Sequence, residues 1–149
     1  MMTEEQVTKA ILKTLVEHKW TIIAYDFPQS GTGKMLHSDT DSSEKNKYGI
    51  IPDIIAVKGE TCLFIENKDK VAIGDFSKVF SIKNDKNYEK AISNLTNDIN
   101  VRQIYYGVGF PRAQNNARAA ASAKLVDFII GASKDGNIEF LYNPHGLVL

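Results

Sequence analysis

Residues 51–70 read IPDIIAVKGETCLFIENKDK, two apolar runs joined at Gly59–Glu60 and ended by charge. β-Branched and aromatic residues fill 53–58 and 61–67, as strands require, and glycine first in a two-residue connection marks a type II′ hairpin. Such a turn fixes the register. Lys58 faces Thr61, Val57 faces Cys62, Ala56 faces Leu63, and the pairing carried outward sets Asp53 opposite Glu66. Directly opposed residues of an antiparallel pair lie ~4.5–5.5 Å apart at Cα and share a face. Strand alternation puts Lys68 on that face as well, while the Asn67 side chain points away and leaves its carbonyl near the cluster.

Two carboxylates ~5 Å apart repel by about 3 kcal/mol at an effective dielectric of about 20. A fold keeps such a pair if a cation binds between them or if one carboxyl stays protonated. Magnesium suits carboxylate and carbonyl ligands, and a lysine beside it can hold a water or stabilise charge developing on phosphate. Asp53, Glu66 and Lys68 are thus the parts of a metal-assisted phosphodiester hydrolase. The structural alternative is that Asp53 caps a strand and Glu66 pairs with Lys68 on the surface.

Outward from the hairpin, Thr3 and Gln6 have capping-box spacing, and Val7, Ile11 and Leu15, with Leu12 and Val16 beside them, mark a first helix ending near His18–Lys19. WTIIAYDF (20–27) reads as a strand, and residues 28–49 as a long polar loop without periodicity. Residues 69–84 have scattered apolar positions and no clean period; Asp85 is placed to cap a helix with Tyr88, Ile92, Leu95 and Ile99 on one face. RQIYYGVGF (102–110) reads as a strand stopped by Pro111, and AQNNARAAASA (113–123) as a helix. LVDFII (125–130) and NIEFLY (137–142) read as strands joined at Asp135–Gly136. No internal repeat is present. The order implies an α/β (α+β) fold, a mixed central sheet flanked by helices.

With 149 residues and 43% hydrophobic content, the chain is read as a single domain spanning 1–149. Lys+Arg and Asp+Glu both number 18, so no global field draws in a polyanion, although a local groove remains open to one. The lone Cys62 sits in an apolar run and has no disulfide partner. The acidic start is not a signal peptide and no apolar run approaches ~18 residues, so the expectation is a cytoplasmic domain without a membrane span.

Pro52-Asp53, twelve intervening residues and Glu66-Asn67-Lys68 resemble the PD-(D/E)xK nuclease superfamily. The likeness extends over roughly the first hundred residues as an αβββαβ core. The hairpin is similar to those of archaeal Holliday-junction resolvases and many restriction endonucleases. The resemblance implies a restriction-endonuclease-like fold and Mg²⁺-dependent cleavage of DNA, with Mn²⁺ as a possible substitute. Asp53 and Glu66 then ligate the metal, the Asn67 carbonyl adds a ligand, and Lys68 positions the attacking water. Relatives often add a glutamate from the first helix. Glu5 is carried over to that role with Glu4 as its rival: on a helical wheel Glu4 lines up with the sheet-facing stripe and Glu5 borders it. Both also suit the positive end of the helix dipole without any further role.

PQSGTGKM (28–35) lacks the first glycine and the terminal Ser/Thr of a P-loop. In that loop Ser30, Thr32 and Lys34 are candidates for bonding phosphate oxygens, and Ser30 matches by order a serine that assists the chemistry in resolvase relatives. Lys70, with Lys78, Lys83, Arg112 and Arg118, is a candidate for a phosphate groove. GVGFPR (107–112) is not a dinucleotide fingerprint, and His18, His37 and His145 show no ligand spacing. The expectation is a homodimeric, restriction-like endonuclease, since one chain has room for one site and a duplex has two strands. A junction resolvase is the alternative, disfavoured by the neutral charge. A non-catalytic DNA-binding or assembly module is the rival from another class.

Overall fold

The computed structural model describes residues 1–26, 52–85, 89–95 and 100–149. Helix α1 (Glu4–Glu17) begins with a complete capping box: Thr3 Oγ1 accepts the Gln6 N–H at 3.1 Å and the Gln6 side chain accepts the Thr3 N–H at 2.9 Å. Val7, Ile11 and Leu15 are fully buried, whereas Val16 lies on the solvent side. The helix closes as a Schellman motif. Lys19 takes a positive φ of 71°, the Trp20 N–H reaches Leu15 O at 2.9 Å, and the Lys19 N–H reaches Val16 O at 3.1 Å. That reversal delivers the chain into β1 (Thr21–Tyr25).

β2 (Ile54–Lys58) and β3 (Thr61–Asn67) form the expected hairpin, with Gly59 at φ 60° and the pairing Lys58↔Thr61 through Ile54↔Ile65. The remaining elements are α2 (Ile73–Asp85), α3 (Glu89–Leu95), β4 (Gln103–Pro111), α4 (Ala117–Ser122), β5 (Phe128–Ala132) and β6 (Ile138–Tyr142), with single 3₁₀ turns on either side of α4. The six strands lie side by side in sequence order. β2 is antiparallel to both of its neighbours, β1 and β3; β3, β4 and β5 are parallel, and β6 returns antiparallel. Parallel neighbours need crossovers, and α2, α3 and α4 supply them.

Strand alternation divides the core in two. Ile55, Val57, Cys62 and Phe64 meet Phe76, Val79 and Ile82 of α2, Ile92 of α3 and Ala119 of α4 on one face. Ile54, Ala56, Leu63 and Ile65 meet Val7, Ile11 and Leu15 of α1 on the other, together with Phe128 and Ile130 of β5. Burial also raises the Cys62 thiol to about 12, so it stays an inert thiol.

The structure corrects several sequence readings. Residues 69–84 are mostly helical: Phe76, Val79 and Ile82 form a buried stripe, but Ile73 (55% exposed) and Phe80 (38%) lie off it and blur the period. Asp85 is therefore the last residue of α2, and the next helix starts at Glu89. The helix expected over 113–123 starts later because Asn116 Oδ1 accepts the N–H groups of Arg118 and Ala119. Its 3₁₀ end takes up Leu125, which moves β5 to Phe128–Ala132. β4 runs through Pro111 rather than stopping before it. Phe27, residues 28–51 with Ser30, Thr32 and Lys34, and Tyr88 and Ile99 lie outside the described residues. Among the described residues, no helix is long and apolar enough to cross a membrane.

Candidate metal and catalytic site

Asp53 stands one residue before β2 and Glu66 one before the end of β3, on the face that carries Ile55, Val57, Cys62 and Phe64. The observed register, extended by one pair, sets them opposite each other as the hairpin geometry requires. Both are buried, at 8% and 5% exposure. Asp53 is anchored from two sides: its carbonyl accepts the Asp26 N–H at 2.9 Å, and its Oδ2 accepts the Asn67 N–H at 2.6 Å. The N–H and C=O of a strand residue point to the same edge. The Asn67 carbonyl therefore faces the Asp53 side.

The electrostatics of this pair are unfavourable for two full charges. Burial, and then the neighbouring Glu66, push the Asp53 carboxyl up to about 8, against the lowering pull of the Asn67 N–H. Glu66 is raised as well, chiefly by burial, although Lys78 and Lys68 oppose that shift. Two carboxyls facing each other in a buried site are held together only when one keeps a proton or a cation offsets them. This pair thus has room for a positive charge, be it a proton or a metal cation.

Lys68 differs from the expectation. The strand ends at Asn67, so alternation no longer places its side chain, and the ammonium crosses the end of the sheet to Glu4 of α1 at 3.3 Å. Burial alone would pull its pKa down, but Glu4, Asp75 and Glu66 outweigh that and hold it above the usual lysine value. Lys68 is therefore a cation at neutral pH, suited to donate hydrogen bonds and offset negative charge but not to act as a base. Glu4 is the first-helix glutamate at the site. Glu5 is not: it points along the exposed side of α1, where it pairs with Lys9 at 3.0 Å. One residue is a turn of about 100° on a helix.

A polar strut fixes these parts. The Asn67 side chain turns to the opposite face and donates from Nδ2 to Thr8 Oγ1 at 3.1 Å, and the Thr8 hydroxyl donates to Glu4 O at 3.0 Å. Asn67 thereby joins the start of α1 to the carboxylate pair. Gly109, paired with Asn67 across β3 and β4, makes this possible, because a Cβ there would overlap Asn67 Oδ1 and the Ile11 methyl. Glycine is required here for close approach, not for any nucleotide motif.

Sequence reasoning missed two groups at the site. Lys78, read only as a groove lysine, pairs with Glu66 at 3.6 Å, and Asp75, one turn earlier on α2, acts on both Glu66 and Lys68. The signal that would have found them is the Phe76–Val79–Ile82 stripe, which turns positions 75 and 78 toward the end of β3. Of the other proposed groove cations, Lys83 is bound to Asp127 at 2.6 Å and Arg112 to Glu139 at 2.9 Å, while Lys70 is exposed just beyond the site.

Among the described residues, no three His, Cys, Asp or Glu side chains form a metal-ligand group. The donor set is instead two carboxyls and a main-chain carbonyl. That chemistry fits magnesium, which commonly takes one or two carboxylates and leaves other positions to water and substrate phosphate. Comparison of the chain with family models, curated proteins and solved structures finds no match.

Proposed function

We propose that this chain is a Mg²⁺-dependent endonuclease that hydrolyses DNA phosphodiester bonds, working as a homodimer in the manner of a restriction endonuclease. One observation carries the reading: the buried Asp53–Glu66 pair, short of positive charge, beside the cationic Lys68 at the end of β3. A purely structural role leaves such a pair unexplained, because an apolar or oppositely charged pair would be the more stable choice.

Asp53, Glu66 and the Asn67 carbonyl would hold the cation. When bound, it would supply Lewis-acid stabilisation of the phosphate and a more acidic water. The chain's own residues do the rest. The Asn67 N–H fixes the Asp53 carboxyl, Glu4 holds the Lys68 ammonium in place, and Lys68 faces the charge that builds on the phosphate oxygens. Lys78, together with Lys68, offsets part of the Glu66 charge.

The test is cleavage of supercoiled, linear and four-way-junction DNA with Mg²⁺ or Mn²⁺ and with EDTA. Metal-dependent cutting that is lost in Lys68→Ala, with folding and DNA binding intact, is the expected result. Undiminished cutting in Asp53→Ala or Glu66→Ala would place the chemistry elsewhere. Binding without cutting on every substrate would favour a non-catalytic assembly module, and junction-only cutting a resolvase.

A further inference from the structure

A cleft of about 470 Å³ lies between the flank of α1 and the β5–β6 turn, at the same end of the sheet as the carboxylate pair. Met2 and Ala10 give it an apolar floor, while Lys9, Lys13, Lys134 and Ser133 supply its polar rim. None of its lining residues is acidic. Lys9 is shared with Glu5, but neither Lys13 nor Lys134 forms an ion pair among the described residues. The nearby Asp135 carboxyl is turned to the Asn137 N–H and Nδ2 at 3.0 and 3.1 Å. In a chain of zero net charge, three lysines around one concave surface make a local positive field.

The position is informative. β3, β4 and β5 are parallel, and their carboxyl ends carry Glu66–Asn67, Pro111 and Ala132 in turn. Open parallel sheets bind ligands at that edge. Neighbouring strands are ~4.8 Å apart, so the β5 end lies roughly 10 Å from the β3 end. A second cleft, of about 510 Å³ and lined by Arg112 and again by Met2, Ser133 and Lys134, continues the surface along the β4 end. On α1, Lys9 and Lys13 lie one turn apart, about 6 Å along the axis.

From this placement we infer that the Lys9–Lys13–Lys134 cleft is a phosphate-binding subsite that grips the nucleic-acid backbone beyond the bond held at Asp53 and Glu66. The inference rests on the nuclease reading for its ligand. Backbone contacts of this kind position a strand and carry no sequence information. They make affinity fall with salt, by a slope of about one per phosphate neutralised.

The experiment measures binding of labelled duplex DNA in EDTA across a salt series, so that cleavage plays no part. The proteins are the wild type, Lys13→Glu/Lys134→Glu, the milder Lys13→Gln/Lys134→Gln, and Lys58→Glu, an exposed control at the far, hairpin end of the sheet. Circular dichroism checks folding, and the Gln pair decides if the Glu pair does not fold. The double variants should bind at least about tenfold more weakly, with the salt slope reduced by about two, while the control stays at wild type. Competition by AMP and by inorganic phosphate tells a free nucleotide from a polymer. DNA is expected to bind far more tightly than either, and a wild-type cleft that binds AMP as tightly as DNA overturns the inference. So do an unchanged affinity and slope in the double variants, or an equal loss in Lys58→Glu. Loss of binding in a protein that never cuts DNA would refute the nuclease reading and leave the subsite. Cutting and binding of long DNA untouched by both double variants would do the reverse.

Discussion

Two buried aspartates occupy opposite situations in this protein. Asp127, just ahead of β5, has both oxygens partnered: Lys83 at 2.6 Å and His145 at 3.2 Å on Oδ1, and the Tyr106 N–H at 2.9 Å on Oδ2. It joins α2, β4 and the C-terminal turn through His145, whose ring also packs at a tilt against Tyr105. Asp53 has one N–H donor, and the neighbouring charge that acts on it most strongly is another carboxyl, Glu66. The same residue type is a structural clasp in one place and an under-compensated charge in the other. Burial does not separate structural from functional carboxylates here; the sum of their partners does.

That contrast gives opposite expectations for activity and stability. The largest effect is on the Asp53 side: Asp53→Asn, Glu66→Gln or Lys68→Ala should each reduce DNA cleavage by about a thousandfold (~4 kcal/mol in the barrier) without lowering the melting temperature. Cleavage assays paired with thermal melts check this. Asp127→Ala should behave the other way. It strands the Tyr106 N–H and releases Lys83 and His145, and urea unfolding should show a loss of about 2–3 kcal/mol. Lys83 is 37% exposed, so solvent screens much of its share. Catalysis by the protein that remains folded should be unaffected.

The third expectation concerns pH. Asp53 holds its proton more tightly when folded, at about 8, than at its ordinary value of 3.8. The folded state therefore binds more protons between those values, and its stability is full below about 4 and falls as pH rises through about 8. Asp53→Asn keeps an acceptor for the Asn67 N–H but removes the charge. It should match the wild type near pH 5 and exceed it near pH 9, by about 1–2 kcal/mol or roughly 2–8 °C. Wild-type melting that is flat with pH, or rises, would break the comparison. The smallest effect sharpens it: Glu4→Gln should slow cleavage by about tenfold by loosening Lys68, whereas Glu5→Gln should change nothing beyond a factor of about two.

The hairpin was legible because its register follows from one constraint. With two residues at the turn, every pairing from Lys58–Thr61 outward is determined, and Asp53 and Glu66 meet without any long-range information. Reading failed where geometry beyond one element decides. Alternation stops where β3 stops, so Lys68 reaches α1 instead of standing beside Glu66 on the sheet face. The choice between Glu4 and Glu5 depends on how the first turn of α1 overhangs the sheet, which a helical wheel shows only as a direction. Lys78 and Asp75 stayed hidden because the exposed Ile73 and Phe80 disguised α2. Asp127 was legible only as part of an apolar run, since its three partners come from residues 83, 106 and 145.

The central claim is that the Asp53–Glu66 pair is a cation site, and calorimetric titration of Mg²⁺ at pH 8 tests it most directly. The wild type should take up one ion per chain with release of protons, since the ligands must be deprotonated to bind. Asp53→Asn and Glu66→Gln should lose that binding while Asp127→Asn keeps it. Equal uptake by the wild type and both site variants, or none by the wild type, would contradict the account.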